Sequence, residues 1–79
     1  MNKILPHSTE YISPSRTIET LTLANQKDSR LVHIYNYEGN HFRFFDSYLS
    51  LIAFFQKGIE PEISFSSEKE LDRFLEGYC

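Results

Sequence analysis

The stretch "RLVHIYNYEGNHFRFFD", residues 30–46, decides how the rest of the chain is arranged. Two runs rich in β-branched and aromatic residues flank Glu38-Gly39-Asn40. Gly39 can supply the positive φ that a tight hairpin needs. With a two-residue turn at 38–39 or at 39–40, facing positions sum to an odd number, so both registers put the same side chains on one face. That face collects Leu31, His33, Tyr35, Tyr37, Phe42 and Phe44. The other carries Val32, Ile34, Asn36, Glu38, His41, Arg43 and Phe45. The first set is the more aromatic and is expected to be the core.

Towards the N-terminus, "TIETLTLAN" is rich in Thr and alternates at Leu21 and Leu23, the pattern of a strand. "NQKDS" is polar turn chemistry. Pairing Ala24 with Arg30 across it adds Leu21 and Leu23 to the core face. Residues 1–16 carry Pro6, Pro14 and four Ser/Thr without a sustained period. They read as an N-terminal arm, with 17–79 as the single domain.

Towards the C-terminus, Asp46 or Ser47 can cap a helix by accepting from free first-turn N–H groups. Tyr48, Leu51, Ile52 and Phe55 follow at i, i+3, i+4 and i+7, with Gly58 at the expected stop. Pro61 marks "IEPE" as a connector, and "EISF" is a short strand. Ser67 with Glu70 is a capping box, and Leu71, Phe74, Leu75 and Tyr78 form the apolar stripe of a second helix. The segments 45–58 and 65–78 are therefore alike. Phe45 corresponds to Phe65, Ser47 to Ser67, Leu51 to Leu71 and Phe54 to Phe74. Each is a strand end, a capping Ser and one apolar helix face, so the repetition reads as architectural.

The order β-β-β-α-β-α makes the expected fold a two-layer α+β sandwich. Its sheet is mixed and four-stranded, both helices cover one face, and the strand–helix–strand crossover is right-handed. A chain of 79 residues is expected to bury only about 60 % of its unfolded surface in one small core. The composition, 41 % hydrophobic and 15 % aromatic, is that of a globular chain. No run approaches the ~20 apolar residues of a membrane span, and the start lacks the apolar run of a signal peptide. A soluble cytoplasmic protein is expected.

Chemistry is sparse. His33 and His41 are expected on opposite faces of the hairpin and His7 in the arm, which gives no convergent metal set. Cys79, the single cysteine, excludes an intramolecular disulfide and has no rigid base beside it. The three glycines form no phosphate loop, and Glu60 and Glu62 lie in a connector. No enzyme activity, cofactor, metal or small-molecule substrate is implied, and a domain this small is expected to have little room for a cleft. The net charge is −3, with six acids against two bases in residues 60–79. That argues against a nucleic-acid partner, which needs a basic face.

What remains is an interaction protein. The outer sheet face would expose Val32, Ile34 and Phe45 as an apolar band, with Asn36 and Arg43 beside it. These five residues are the expected protein-binding surface, for a partner or for a second copy in a homodimer, with the acidic second helix as a further surface. The alternative is a single-stranded nucleic-acid binder that stacks bases on Tyr35, Tyr37, Phe42 and Phe44.

Overall fold

In the computed structural model, which describes residues 3–24 and 26–78, β3 (Ser29–Tyr37) and β4 (His41–Phe45) form the expected hairpin. Its loop is one residue longer than expected. Tyr37 pairs with His41 and Ile34 with Phe44, leaving Glu38, Gly39 and Asn40 between the strands. Glu38 and Gly39 both hold positive φ, 57° and 80°. The Glu38 N–H donates to the Ser15 carbonyl at 2.8 Å, which ties this turn to the neighbouring one.

The preceding loop also shifts the register. Ala24, the end of β2 (Arg16–Ala24), pairs with Ser29 rather than Arg30, so Leu21 faces Val32. A one-residue slip moves every side chain of a strand to the other face. Both slips together put Leu21, Leu23, Val32, Ile34, Phe42 and Phe44 into one core cluster. Tyr35 and Phe45 belong to the other, with Ile18 and Tyr37 packed against it.

The expected arm is a strand. β1 (Lys3–Ser13) runs antiparallel to β2, joined to it by a tight turn at Pro14-Ser15. Irregularities between Pro6 and Ser8 and between Tyr11 and Ser13 break the pairing register, which explains the missing period-2 pattern.

The expected mixed sheet with both helices on one face is wrong in strand number, direction and layering. The sheet has five strands in the order β1-β2-β3-β4-β5, and every neighbouring pair is antiparallel. α1 (Tyr48–Lys57) folds back over β4, so that Tyr48 meets His33 and Phe54 meets Tyr35 and Phe45. Ten helical residues advance about 15 Å. The connection from Gly58, in the left-handed region, to Glu62 is five residues long, enough at about 3.3 Å per residue to cover a similar distance back to β4. β5 (Ile63–Phe65) therefore starts next to Phe44, where β4 ended, and no parallel crossover forms.

α2 (Glu68–Tyr78) then packs on the opposite face, placing Leu71, Leu75 and Phe74 against the Leu21–Val32–Phe44 cluster. The architecture is α+β, with the sheet as the middle layer between two helices. Ser47 and Ser67 cap the helices as expected, the Ser67–Glu70 box through its Ser67 side-chain bond. Ser47 Oγ accepts from Ser50 N–H and Ser67 Oγ from Glu70 N–H, each at 3.2 Å. Gly58 ends α1 in the left-handed region at φ 69°.

Candidate functional site

The band expected to face solvent does not exist. Val32, Ile34 and Phe45 are 0 %, 3 % and 1 % exposed, and Phe45 lies on the opposite face from the other two. Asn36 is half-buried, and its Oδ1 is buried without a hydrogen-bond partner. Arg43, also half-buried, donates from Nε to Glu60 Oε2 at 2.7 Å and from Nη2 to Glu60 Oε1 at 3.4 Å. These five residues are not brought together as a surface. The stacking platform fails likewise: Tyr35, Phe42 and Phe44 are buried, Tyr37 is half-buried, and Phe42 and Phe44 face away from both tyrosines. Cys79 lies outside the described residues, as does the Tyr78 side chain.

Two features that sequence reasoning missed stand in their place. The first is the edge of the sheet formed by β1. Edge strands expose unpaired N–H and C=O groups, and proteins commonly keep them short. β5, at one edge, has three residues; β1, at the other, has eleven. Residues 4–12 are exposed throughout, including Ile4, Leu5, Tyr11 and Ile12, and neither helix covers the strand. Pro6 with the irregularity beside it, and a second irregularity between Tyr11 and Ser13, interrupt the edge.

The second is a cleft of about 390 Å³ on the α1 face, at the turn end of the sheet. Arg16 and Arg43 flank it, Tyr35, Tyr37 and Phe54 form its walls, and Glu38 sits at its rim. β2, β3 and β4 each supply one or two of these residues because 16, 35, 37 and 43 share a face in the observed register. Arg16 Nε donates to the Tyr35 hydroxyl at 2.6 Å, with its guanidinium 5.6 Å from that ring's centre. Arg43 lies 5.0 Å from the Tyr37 ring and 5.3 Å from Phe54. Hydrogen bonds to Glu60, and then to Tyr37, push the Arg43 pKa further above its ordinary value. Tyr37 stacks with Tyr35 and with His41, at 5.6 Å and 4.8 Å.

His33 is buried beneath the edge of Tyr48, and its Nδ1 lies 3.0 Å from Thr20 Oγ1 in a hydrogen bond. Burial lowers its pKa. Among the described residues no group of three or more His, Cys, Asp or Glu is placed to hold a metal ion. No described helix is long and apolar enough to cross a membrane.

No protein-family model matches the chain, and comparison with curated proteins and with solved structures likewise finds no match.

Proposed function

We propose that this chain is a non-catalytic interaction protein that works by adding a strand to the free edge of β1, and that the strand added is β1 of a second copy. The supporting observation is the eleven-residue edge, exposed throughout residues 4–12, in a sheet whose other edge is three residues long. Strand addition satisfies main-chain groups, while side chains on the paired strands set the register.

The sequence of β1 suits pairing with itself. Ile4 and Leu5 stand near one end, Tyr11 and Ile12 near the other, and polar residues lie between. A two-fold axis near Ser8, with antiparallel strands, sets Ile4 and Leu5 of one copy against Ile12 and Tyr11 of the other. The same register places Glu10 opposite Pro6, so no like charges meet. A contact made mainly by two strands falls below the about 1,200 Å² of a standard interface, and the dimer is expected to be weak, on the order of micromolar Kd or weaker.

Sedimentation equilibrium over a wide concentration range tests this. Wild type should move from monomer to dimer. Leu5→Lys with Tyr11→Lys should remain monomeric with unchanged far-ultraviolet circular dichroism, because both sites are exposed and symmetry would set new charges near one another. A wild type that stays monomeric at hundreds of micromolar, or a double variant that dimerises equally well, would defeat the reading.

A further inference from the structure

We propose that the cleft between Arg16, Tyr35, Tyr37 and Arg43 binds a small aromatic monocarboxylate. At about 390 Å³ the cleft lies within the range of small-molecule sites. Nothing in this inference depends on strand pairing at β1, and no such ligand was implied by the sequence.

The two arginines have different parts. Arg43 is already paired with Glu60 and its guanidinium lies over the Tyr37 and Phe54 rings, so it closes one wall. Arg16 spends its Nε–H on the Tyr35 hydroxyl, a bond that fixes the plane of the guanidinium. Its two Nη groups have no acidic partner among the described residues and remain as a fork for a carboxylate, the geometry guanidinium recognises best. The Tyr35 hydroxyl accepts from Arg16, so its own proton is available to donate to a second oxygen on the ligand.

The walls determine what carries the carboxylate. The Tyr37 ring already has Tyr35 and His41 stacked with it and Arg43 over it, and Phe54 has Arg43 over its ring, so ring edges are what these walls leave for a ligand. A flat ring meets such edges in the edge-to-face arrangement that aromatic pairs favour. Charge limits the ligand further. Arg43 and Glu60 cancel, and Glu38 also lines the cleft, so Arg16 is the remaining cation among the lining residues. One negative charge is matched, whereas a dianion or a polyphosphate meets Glu38 unbalanced.

The test is a titration of the full chain, followed by NMR at low salt, with benzoate as the probe. Saturable shifts at Arg16, Tyr35 and Tyr37 are expected, with a Kd on the order of 1 mM for a ligand of this size. Acetate, benzyl alcohol and phthalate should each bind more weakly, lacking the ring, the charge and the single charge respectively. Arg16→Gln should weaken benzoate about tenfold or more, the usual effect of removing a charged hydrogen-bond donor. Glu38→Gln should tighten it, a gain that a damaged fold cannot mimic. Equal affinity for acetate, shifts scattered away from the cleft, unchanged binding by Arg16→Gln or weakened binding by Glu38→Gln would each overturn the assignment.

Discussion

The two strand–helix units, residues 45–58 and 65–78, use the same parts on opposite sides of one sheet. Leu51 and Leu71 are both buried, Phe54 and Phe74 are both packed on aromatic neighbours, and Ser47 and Ser67 cap their helices at the same distance. Their outer surfaces differ. α1 leaves Tyr48 and Leu49 at 62 % and 79 % exposure, whereas α2 shows Glu, Lys and Asp outside a narrow apolar stripe. The similarity therefore encodes how a helix docks on a strand. Which face it docks on depends on the connection before it and on the register of the strands.

Truncating the matched core leucines gives the largest expected effect. Leu51→Ala and Leu71→Ala should each cost about 2–5 kcal/mol. Because the sheet separates the two sites, the double variant should show the sum of the single losses in urea unfolding. A strong departure from the sum would mean that the two sides are not independent.

The glycines break the likeness. Gly58 ends α1 at φ 69°, so Gly58→Ala should lose roughly 1–2 kcal/mol. Gly77 lies inside α2 with nothing within 4 Å of an added Cβ. There Gly77→Ala should gain up to about 0.5–1 kcal/mol. Opposite shifts of the thermal midpoint are the signature, and shifts of the same sign would contradict it.

The caps sharpen the likeness at smaller scale. Ser47→Ala and Ser67→Ala should each lose about 1 kcal/mol, measured as a lowered midpoint without change in m-value.

The smallest contrast is in pH response. On the α1 side, burial lowers the pKa of His33 below its unfolded value of about 6.5. The unfolded chain then binds more protons between the folded pKa and about 6.5, so stability is complete above that window and falls as pH drops through it. The difference in unfolding midpoint between wild type and His33→Gln should change across this window and stay constant above pH 7.

Element identities from β2 onward were legible in the sequence, and so were the caps, because each rests on a local signal such as Ser67 with Glu70 or Gly58 after Lys57. The faces were not legible, because they depend on loop lengths to a single residue. Glu38-Gly39-Asn40 serves as well for a two-residue turn as for the three-residue loop observed. A physical clue was nevertheless present. Val32 to Tyr35 and Phe42 to Phe45 scarcely alternate, and such runs belong to strands covered on both faces. Taken together with two helices that each carry an apolar stripe, they point to one helix on each side. β1 was illegible for the opposite reason: its exposed faces and broken register leave no period. The Arg16–Arg43 cleft could not be anticipated, since its residues come from three strands and share a face only in the observed register.

The strict nearest-neighbour order of the sheet has a kinetic consequence. Each strand pairs with the one before it in sequence, and even the longest excursion, through α1, closes onto the strand it left. Backbone pairing thus grows by successive short closures, each with a modest entropic cost. That should set a relative contact order low for a sheet protein, with refolding faster than the parallel crossover once expected of this sequence would allow. Stopped-flow refolding should complete in a single phase within milliseconds to tens of milliseconds, the range such topologies occupy, roughly, among small two-state domains.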